Sequence, residues 1–197
     1  MPRTANLARP GALLDRVVDY VEHRGLANLS LRPLALAIDS SPRGLLYYFN
    51  SKDGLTVAIL AELRRRQQRA FARLRDQDGD ASPDACLAIW KIMSAPESLP
   101  TFRLFFEVYA MALREPTRFG SFLANAVGDW LSFLQTPLLR RGVRAEHASA
   151  FATLVIAGYR GFLLDLCATG DRARVDRAVE LWLHGLRTIE EDVLKVA

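Results

Sequence analysis

The segment from Ser30 to Leu55, SLRPLALAIDSSPRGLLYYFNSKDGL, constrains the fold of this chain more than any other. Ser30 is a favourable N-cap for a first short helix, and Pro33 falls in its first turn, where a missing N–H costs little. Asp39 tolerates the left-handed backbone that a sharp turn between helices usually needs. A second helix restarts at Pro42. The segment therefore predicts two short helices packed around a tight turn.

The second of these helices carries side chains that suit contact with a DNA duplex. Leu45, Leu46 and Phe49 are spaced to face the first helix, so the polar groups between them point outward. Arginine can fork onto guanine or phosphate, a tyrosine hydroxyl can reach phosphate, and glycine allows close approach of the backbone. A third helix capped by Ser51 places Lys52 beside free backbone N–H groups, where a phosphate could bind. The predicted DNA-binding residues are Ser30, Arg32, Ser41, Pro42, Arg43, Gly44, Tyr47, Tyr48 and Lys52.

The run S-L-R-P-L-A followed by S-P-R-G-L-L-Y-Y-F-N-S-K-D-G-L resembles the helix-turn-helix of TetR-type transcriptional repressors. The likeness covers roughly Leu13 to Leu60 and includes a preceding amphipathic helix that Gly25 ends as a C-cap. Asp39 stands where the family generally has glycine and Leu46 where it generally has tyrosine, so base preference cannot be copied from relatives. The resemblance implies an all-α fold with a three-helix DNA-binding domain and a six-helix domain for ligand binding and dimerisation.

Breaker residues divide the rest of the chain into helices without any period-two strand. Residues 1–50 are expected to form a DNA-binding domain and residues 51–197 a larger ligand-binding and dimerisation domain. A long helix over residues 51–75, the first helix of the larger domain, is expected to connect the two. A polar loop follows at Asp76 to Pro83. Further helices are expected at about 84–94, 101–114, 117–141, 145–168 and 172–196. The count is about nine helices, which agrees with what the resemblance implies.

Basic charge is concentrated in the part that holds the motif. The net charge of the 197-residue chain is +4, but residues 1–75 hold 13 Lys or Arg against 6 Asp or Glu, and residues 76–197 hold 13 against 16. A basic excess confined to the N-terminal part suits binding to a phosphate backbone. The arginine-rich run from Arg64 to Arg75 lies several turns from Lys52. A solvated face, or pairing with acidic groups of the second domain, explains that run better than DNA contact.

Aromatic side chains are crowded in the second domain. Large rings and small neighbours do not fill space evenly, which favours a cavity for an apolar ligand, although plain packing of the rings in a core explains the residues equally well. The family resemblance favours the cavity, and a few polar residues could orient a ligand in it. The predicted ligand-binding residues are Trp90, Phe102, Phe106, Tyr109, Phe122, Asn125, Asp129, Trp130, Phe162 and Asp165.

The last two helices are apolar on more than one side. One chain cannot easily bury so much apolar surface, so a four-helix bundle with the same helices of a second copy is predicted. Two recognition helices related by a two-fold axis would meet major grooves about 34 Å apart, so the operator should be an imperfect palindrome. The predicted dimer-interface residues are Ala152, Val155, Gly158, Tyr159, Val179, Trp182, Leu183, Leu186 and Ile189.

Several other classes of protein fit the sequence poorly. No signal-peptide pattern follows Met1, and the most apolar stretch, Ala148 to Tyr159, is short for a bilayer span, so a cytoplasmic protein without membrane contact is expected. Cys86 and Cys167 are too far apart for a zinc site or a redox pair, and two buried thiols without a disulfide are expected.

The sequence gives little support for an enzyme. Its three histidines are scattered, and the single pair with helical spacing, Glu180 and His184, lacks a third partner for metal binding or acid-base chemistry. No nucleophile motif or phosphate loop occurs, so no metal, cofactor or catalytic residue is predicted.

The function predicted from these patterns is that of a DNA-binding repressor that binds a palindromic operator as a homodimer and is released by a small apolar or aromatic ligand. The alternatives are a helical adaptor for protein partners and a small helical-bundle enzyme without DNA binding. The residues do not identify the ligand, the operator or the regulated genes, nor whether the ligand releases or promotes DNA binding.

Overall fold

The computed structural model describes residues 10–26, 29–75 and 83–195, and within these ranges the chain forms nine α-helices and no strand. The helices are α1 (Pro10–Arg24), α2 (Leu31–Ala37), α3 (Pro42–Phe49), α4 (Lys52–Arg75), α5 (Pro83–Met93), α6 (Leu99–Arg114), α7 (Pro116–Arg140), α8 (Ala145–Thr169) and α9 (Arg172–Lys195). The all-α fold and the predicted helix order are confirmed, and from α4 onward each bound lies within about two residues of its prediction. The loop expected at Asp76 to Pro83 falls almost wholly outside the described residues.

Two of the predicted breaks in the N-terminal part have the expected backbone. α1 ends before Gly25, whose φ of +80° is left-handed and whose N–H donates to the Val21 carbonyl at 2.8 Å. A residue with a side chain is strained at such a φ, which explains a glycine there. Asp39 has a φ of +47° in the turn between α2 and α3. The left-handed backbone at Asp39 and the helix end at Gly25 were both indicated by the sequence.

The caps of the short helices are only partly as predicted. Ser30 has extended backbone at the N-cap of α2, but its side chain makes no capping hydrogen bond. The next helix is capped instead by Ser41, whose Oγ accepts the Gly44 N–H at 2.9 Å. A serine hydroxyl in this position satisfies one of the N–H groups that a helix leaves without an internal partner. The start of α3 is therefore fixed by a side chain, whereas the start of α2 is not.

Arg16 on α1 holds the turn between α2 and α3. Its guanidinium donates to the Ile38 carbonyl and lies 3.5 Å from the Asp39 carboxylate. The last carbonyls of a helix lack intrahelical partners and carry partial negative charge, so a cation stabilises them. Arg16 therefore connects α1 directly to the helix-turn-helix turn.

The buried apolar side chains form two cores. The first core combines α1, α2 and α3 with Leu55 and Ile59 of α4, and it is completed by Leu104 and Val108 of α6 and Phe119 of α7. The second core joins α5, α7, α8 and α9. The three N-terminal helices therefore bury their apolar faces partly against helices of the second half of the chain.

The most apolar helix, α8, lies at the centre of the second core. It is 25 residues long, longer than the apolar stretch that the sequence suggested, and by length and composition alone it could cross a membrane. Eight of its residues are buried, including Ala152, Val155 and Leu163. Such burial is typical of the core helix of a bundle, and one such helix is weak evidence for a membrane span.

Candidate functional site

The outer face of α2, α3 and the start of α4 is rich in exposed basic and aromatic groups. Arg32, Arg43 and Lys52 are exposed, and none of the three pairs with a carboxylate in the described part of the chain. The Tyr47 side chain is 78% exposed, and its ring packs edge-on against Tyr48, with the ring centroids 5.5 Å apart. The remaining predicted DNA-binding residues divide into the exposed Ser30 and Ser41 and the half-buried Pro42 and Gly44.

The N-terminus of α4 is shaped by Ser51, which the sequence predicted as its cap, and by Asn50 and Gly54, which the sequence did not single out. Asn50 adopts a left-handed φ of +63°, and Ser51 then accepts the Gly54 N–H at 2.9 Å. A side-chain carbon on Gly54 would overlap the carbonyl oxygen of Phe49, so only glycine fits at this bend. The bend starts a 24-residue helix directly after α3, with the exposed Lys52 as its first residue.

Leu46 does not face the first helix as predicted. Leu45 is 1% exposed and packs in the first core, but Leu46, one residue further around the helix, is 40% exposed. Leu36, at the end of α2, is 82% exposed. Successive helical residues are rotated by about 100°, and with Leu45 directed into the core the next residue of α3 turns towards solvent. The outer face therefore presents apolar as well as basic groups.

A cavity of about 350 Å³ lies between α1, α4, α5, α6, α7 and α8. Its aromatic wall is formed by Phe102, Phe105, Phe106, Trp130 and Tyr159. Its aliphatic wall is formed by Leu63, Ile92, Met93, Ile156 and Leu163. Its polar groups belong to Glu22, Arg66, Glu97, Ser98, Thr101 and Arg160. A mostly apolar cavity with a few convergent polar groups has the usual character of a small-molecule site.

Three of the predicted ligand-binding residues, Phe102, Phe106 and Trp130, line this cavity. Trp90 and Phe162 do not line it. The Trp90 indole is buried and donates to Asp176 at 2.9 Å, and Phe162 packs edge-on against it with the ring centroids 6.2 Å apart. These two rings therefore belong to the packed second core. The side chain of Phe122 lies outside the part that the structure describes.

The polar residues predicted to orient a ligand lie away from the cavity lining. Asn125 is exposed. Asp129 accepts from Arg64 at 3.4 Å and from Gln68 at 3.3 Å, which links α7 to α4. This pairing agrees with the expectation that part of the arginine run faces acidic groups of the second domain.

Asp165 also lies away from the cavity lining, in a surface ion pair. Each of its carboxylate oxygens accepts from Arg174 at 2.8 Å, and this hydrogen bonding holds the pKa of Asp165 below its usual value. Tyr109 lies behind the cavity wall, where its ring contacts Arg160. Helical spacing identified the helices that carry these polar side chains, but it did not determine whether each side chain faces the cavity or the surface.

Arg66 on α4 is the centre of an ion-pair network at one end of the cavity. Its guanidinium lies 3.1 Å from Asp19 and 3.4 Å from Glu22 on α1, and 3.4 Å from Glu62 on its own helix. Burial alone would lower the pKa of Arg66, but hydrogen bonding to Asp19 and the charge of Glu22 outweigh burial and raise it. Thr101 on α6 donates to Glu22 at 2.9 Å. Two residues of the cavity lining, Glu22 and Arg66, thus hold α1 against α4 and α6.

Arg160 on α8 is the second cation in the cavity wall. Its guanidinium carbon lies 5.8 Å from the centroid of the Phe105 ring and 5.5 Å from that of Tyr109. The Nη2 atom is buried and has no hydrogen-bond partner among the described residues. Burial lowers the pKa of Arg160, and the charge of Tyr109 partly offsets that effect. The sequence analysis missed Arg160 because a single arginine in an apolar helix gives no periodic signal.

Tyr159, predicted for the dimer interface, lines the cavity instead. Its hydroxyl donates to the Cys86 carbonyl at 2.7 Å, and burial raises its pKa well above the usual range. Within the single chain, Ala152, Val155 and Val179 are fully buried. Three more of the predicted interface residues, Leu183, Leu186 and Trp182, also pack in the second core.

A different set of apolar residues lies on the outer face of the last two helices. Gly158 is covered by Trp182, since a side-chain carbon there would overlap its ring. Ile189 is 40% exposed and is the one predicted interface residue on this outer face. The others on it are Leu154, Ala157, Gly161 and Leu164 of α8 and Leu181 and Gly185 of α9. We call these seven residues the α8/α9 outer face.

The same fold occurs in solved structures. No protein-family model and no curated protein matches the sequence. A transcriptional regulator from Rhodococcus sp. Rha1 superposes with a TM-score of 0.73 at 18% identity, covering 95% of this chain and 97% of that one. A protein described as a TetR-family transcriptional regulator from Rhodococcus sp. has a TM-score of 0.66 at 21% identity, with coverages of 92% and 97%. The chain has the TetR-type fold.

A third neighbour with the TetR-type fold is a ligand-binding protein. The multidrug binding protein EbrR, in complex with proflavin, superposes with a TM-score of 0.61 at 22% identity and covers 90% of this chain and 98% of its own. The likeness extends over almost the whole chain, well beyond the helix-turn-helix from which the sequence resemblance was drawn. The sequence-based fold prediction is confirmed over the second half of the chain as well.

Proposed function

We propose that this chain is a DNA-binding transcriptional repressor that binds a palindromic operator as a homodimer and is released by a small ligand. The observation that carries the proposal is the set of three exposed cations, Arg32, Arg43 and Lys52, on the outer face of the helix-turn-helix. None of them is paired with a carboxylate of the described residues. Cations that are not neutralised within the protein can release counterions from a phosphate backbone.

The proposed DNA contacts divide into base and phosphate contacts. Arg43, in the first turn of α3, would contact a guanine edge, and Tyr47 a phosphate or base. Lys52 would contact phosphate at the N-terminal end of α4, where the helix dipole also favours an anion. Leu46, which the sequence analysis had assigned to the interior, is exposed beside them, and an apolar side chain there suits the methyl group of thymine.

The α8/α9 outer face would form the homodimer interface. Leu164 is 52% exposed and Leu181 is 74% exposed in the single chain, and glycines at 161 and 185 would allow close approach of helix backbones. Apolar residues at this spacing on two adjacent helices suit a four-helix bundle with a second copy. A two-fold axis through that bundle would present two α3 helices to successive major grooves.

The cavity would bind the effector. Glu22 and Arg66 line it, and the same two side chains hold α1 to α4. A ligand that displaces either group would alter the position of α1, which in turn fixes the turn before α3 through Arg16. By linkage, a ligand that weakens operator binding must itself bind more weakly to the operator-bound dimer.

The division of labour follows from these placements. Residues 1–50 would read DNA, residues 51–197 would bind the ligand and the second copy, and the helix over 51–75 would transmit movement between them. A repressor of this type would work in the cytoplasm. An adaptor for protein partners is less well supported, because it does not require unpaired cations on the helix-turn-helix face.

Selection of bound sequences from random duplex DNA tests the proposal. The expected result is an imperfect palindrome whose half-site centres lie about one helical turn apart, bound with an affinity that falls steeply as salt is raised. A scrambled duplex of the same composition serves as the control. Failure to enrich any sequence, or affinity independent of salt concentration, would contradict the proposal and favour the adaptor.

A further inference from the structure

Arg160 lies in the wall of a cavity that is otherwise mainly aromatic and aliphatic. It projects from α8, and its guanidinium carbon lies over the Phe105 and Tyr109 rings of α6, 5.8 and 5.5 Å from their centroids. The two rings stabilise the cation through their π faces, but they offer no oxygen or nitrogen acceptor in the ring to its N–H groups. The N–H groups of Arg160 are therefore available to another partner.

No described residue supplies that partner. The Nη2 atom is buried without a hydrogen bond, and no ion pair of Arg160 is formed within the described part of the chain. Most buried polar groups in proteins have hydrogen-bond partners, and a guanidinium without a carboxylate beside it is unusual. An exception in the wall of a cavity calls for an explanation.

The other charged side chains of the cavity lining are either paired with an opposite charge or exposed to solvent. Arg66 already contacts Asp19, Glu22 and Glu62, and Glu22 also accepts from Thr101. Glu97 is exposed. Among the charged side chains of the lining, Arg160 is the one with a buried charged atom and no ion pair, and its charge is positive. A cationic ligand would add a second positive charge beside it, whereas an anion would neutralise it.

We propose that the effector is an organic carboxylate with an apolar body, whose carboxylate pairs with the guanidinium of Arg160. This inference rests on the proposed function, since it takes the cavity to be the effector site. The two oxygens of a carboxylate match two N–H groups on one edge of a guanidinium. The apolar body would lie against Phe102, Phe106 and Trp130, and the cavity volume of about 350 Å³ suits a small molecule.

Three carboxylates and their primary amides test this proposal: 2-naphthoate, 4-phenylbutyrate and decanoate. Each amide has the shape of its carboxylate but no charge. Binding is measured by calorimetry and by thermal shift on the full chain and on three variants. Arg160→Met removes the charge, Arg160→Lys keeps the charge without the fork, and Arg177→Met removes an exposed arginine of α9 that does not line the cavity.

For at least one pair, the wild-type chain is expected to bind the carboxylate about tenfold or more tightly than the amide. Arg160→Met should abolish that preference and leave amide affinity nearly unchanged, Arg160→Lys should keep part of it, and Arg177→Met should keep all of it. Equal affinities of carboxylate and amide in all three pairs, absence of binding, or a preference that survives in Arg160→Met would overturn the proposal. If Arg160→Met does not fold, the wild-type comparison and Arg160→Lys still decide the matter.

The same samples separate this proposal from the proposed function. Operator selection on the ligand-free chain tests DNA binding without any carboxylate. Carboxylate binding through Arg160 by a chain that binds no duplex would support the ligand class and refute the repressor. Operator binding by a chain that binds none of the three carboxylates more tightly than its amide would support the DNA-binding function and refute the carboxylate as the ligand class.

Discussion

The backbone N–H of Leu26 donates to both carboxylate oxygens of Glu107, at 3.0 Å to Oε1 and 2.9 Å to Oε2. Leu26 lies two residues beyond the end of α1, and Glu107 lies in the middle of α6. Leu26 is buried, so its N–H has little access to water and depends on this carboxylate. Six residues earlier on α6, Thr101 donates to Glu22 near the end of α1. Two pairs of residues thus attach the end of α1 to α6.

Replacement of Glu107 should destabilise the folded chain. Glu107→Ala leaves the Leu26 N–H without its acceptor and is expected to lower the free energy of unfolding by about 1–3 kcal/mol. Glu107→Gln keeps one acceptor oxygen and should cost less. Chemical denaturation measures both. Equal stability of the alanine variant and the wild type would show that the contact carries no weight in the folded state.

Arg66 should couple the cavity to operator binding. Arg66→Met removes the contacts to Asp19 and Glu22 and is expected to reduce, by about fivefold or more, the factor by which a bound effector changes operator affinity. Arg65→Met is the matched control, because Arg65 pairs with Glu62 but with no residue of α1. Operator titrations with and without effector give the factor. A loss of response in both variants would indicate a general effect of charge on α4 instead.

Two substitutions on the DNA-facing surface should have different effects. Lys52→Ala should weaken binding to all duplexes alike and reduce the slope of log affinity against log salt by about one. Arg43→Ala should relax the base preference at one position of each half-site, at a cost of about 1–3 kcal/mol for the preferred base. Both are measured by fluorescence anisotropy over a set of operator variants. If neither variant differs from wild type, the contacts are wrongly assigned.

The oligomeric state should depend on the α8/α9 outer face. Leu164→Glu and Leu181→Glu place a charge in the proposed interface and should convert a dimer to single chains of 22.0 kDa without unfolding them. Leu113→Glu is the control, since Leu113 is 73% exposed on α6, away from this face. Sedimentation equilibrium gives the mass, and circular dichroism gives the fold. A dimer that persists in both α8/α9 variants would require another interface.

Gly158 should tolerate no larger residue. A side-chain carbon at this position would overlap the Trp182 ring, which also packs against Tyr159 at a centroid distance of 5.3 Å and cannot move freely. Gly158→Ala is therefore expected to cost about 1–3 kcal/mol of stability. Gly128 on α7 has open space around it, so Gly128→Ala should instead stabilise the helix by about 0.5–1 kcal/mol. Thermal unfolding of the two variants measures both changes in stability. Equal effects of the two substitutions would show that the contact between residue 158 and Trp182 does not determine the cost.

Local chemistry explains why the helix-turn-helix could be predicted from the sequence. The cap at Ser41 and the left-handed Asp39 each depend on residues a few positions away along the chain. The helix bounds of the second half follow equally local breakers, such as the left-handed Gly170 after α8. Periodicity and turn residues carry such information because it does not depend on the tertiary fold.

The orientation of the apolar helices could not be predicted in the same way. α8 has apolar residues on several sides, and the sequence pattern alone does not indicate whether Val155 or Leu154 faces inward. The structure buries Val155 and exposes Leu154. The Arg66 network joins residues 44 and 47 positions apart, and no short-range pattern records such a distance. Arg160 acquires its significance only from the two rings of α6 that pack against it.

The first core has a consequence for anyone who wishes to exchange operator specificity between proteins of this fold. Leu104, Val108 and Phe119 from α6 and α7 complete the packing beneath α1, α2 and α3. In a hybrid that receives only α1, α2 and α3 from another protein, the apolar face of these helices would therefore pack against α6 and α7 residues with which it did not evolve. A junction after α4 would not remove the mismatch, whereas grafting only the outward side chains of α3 would leave the buried seam intact.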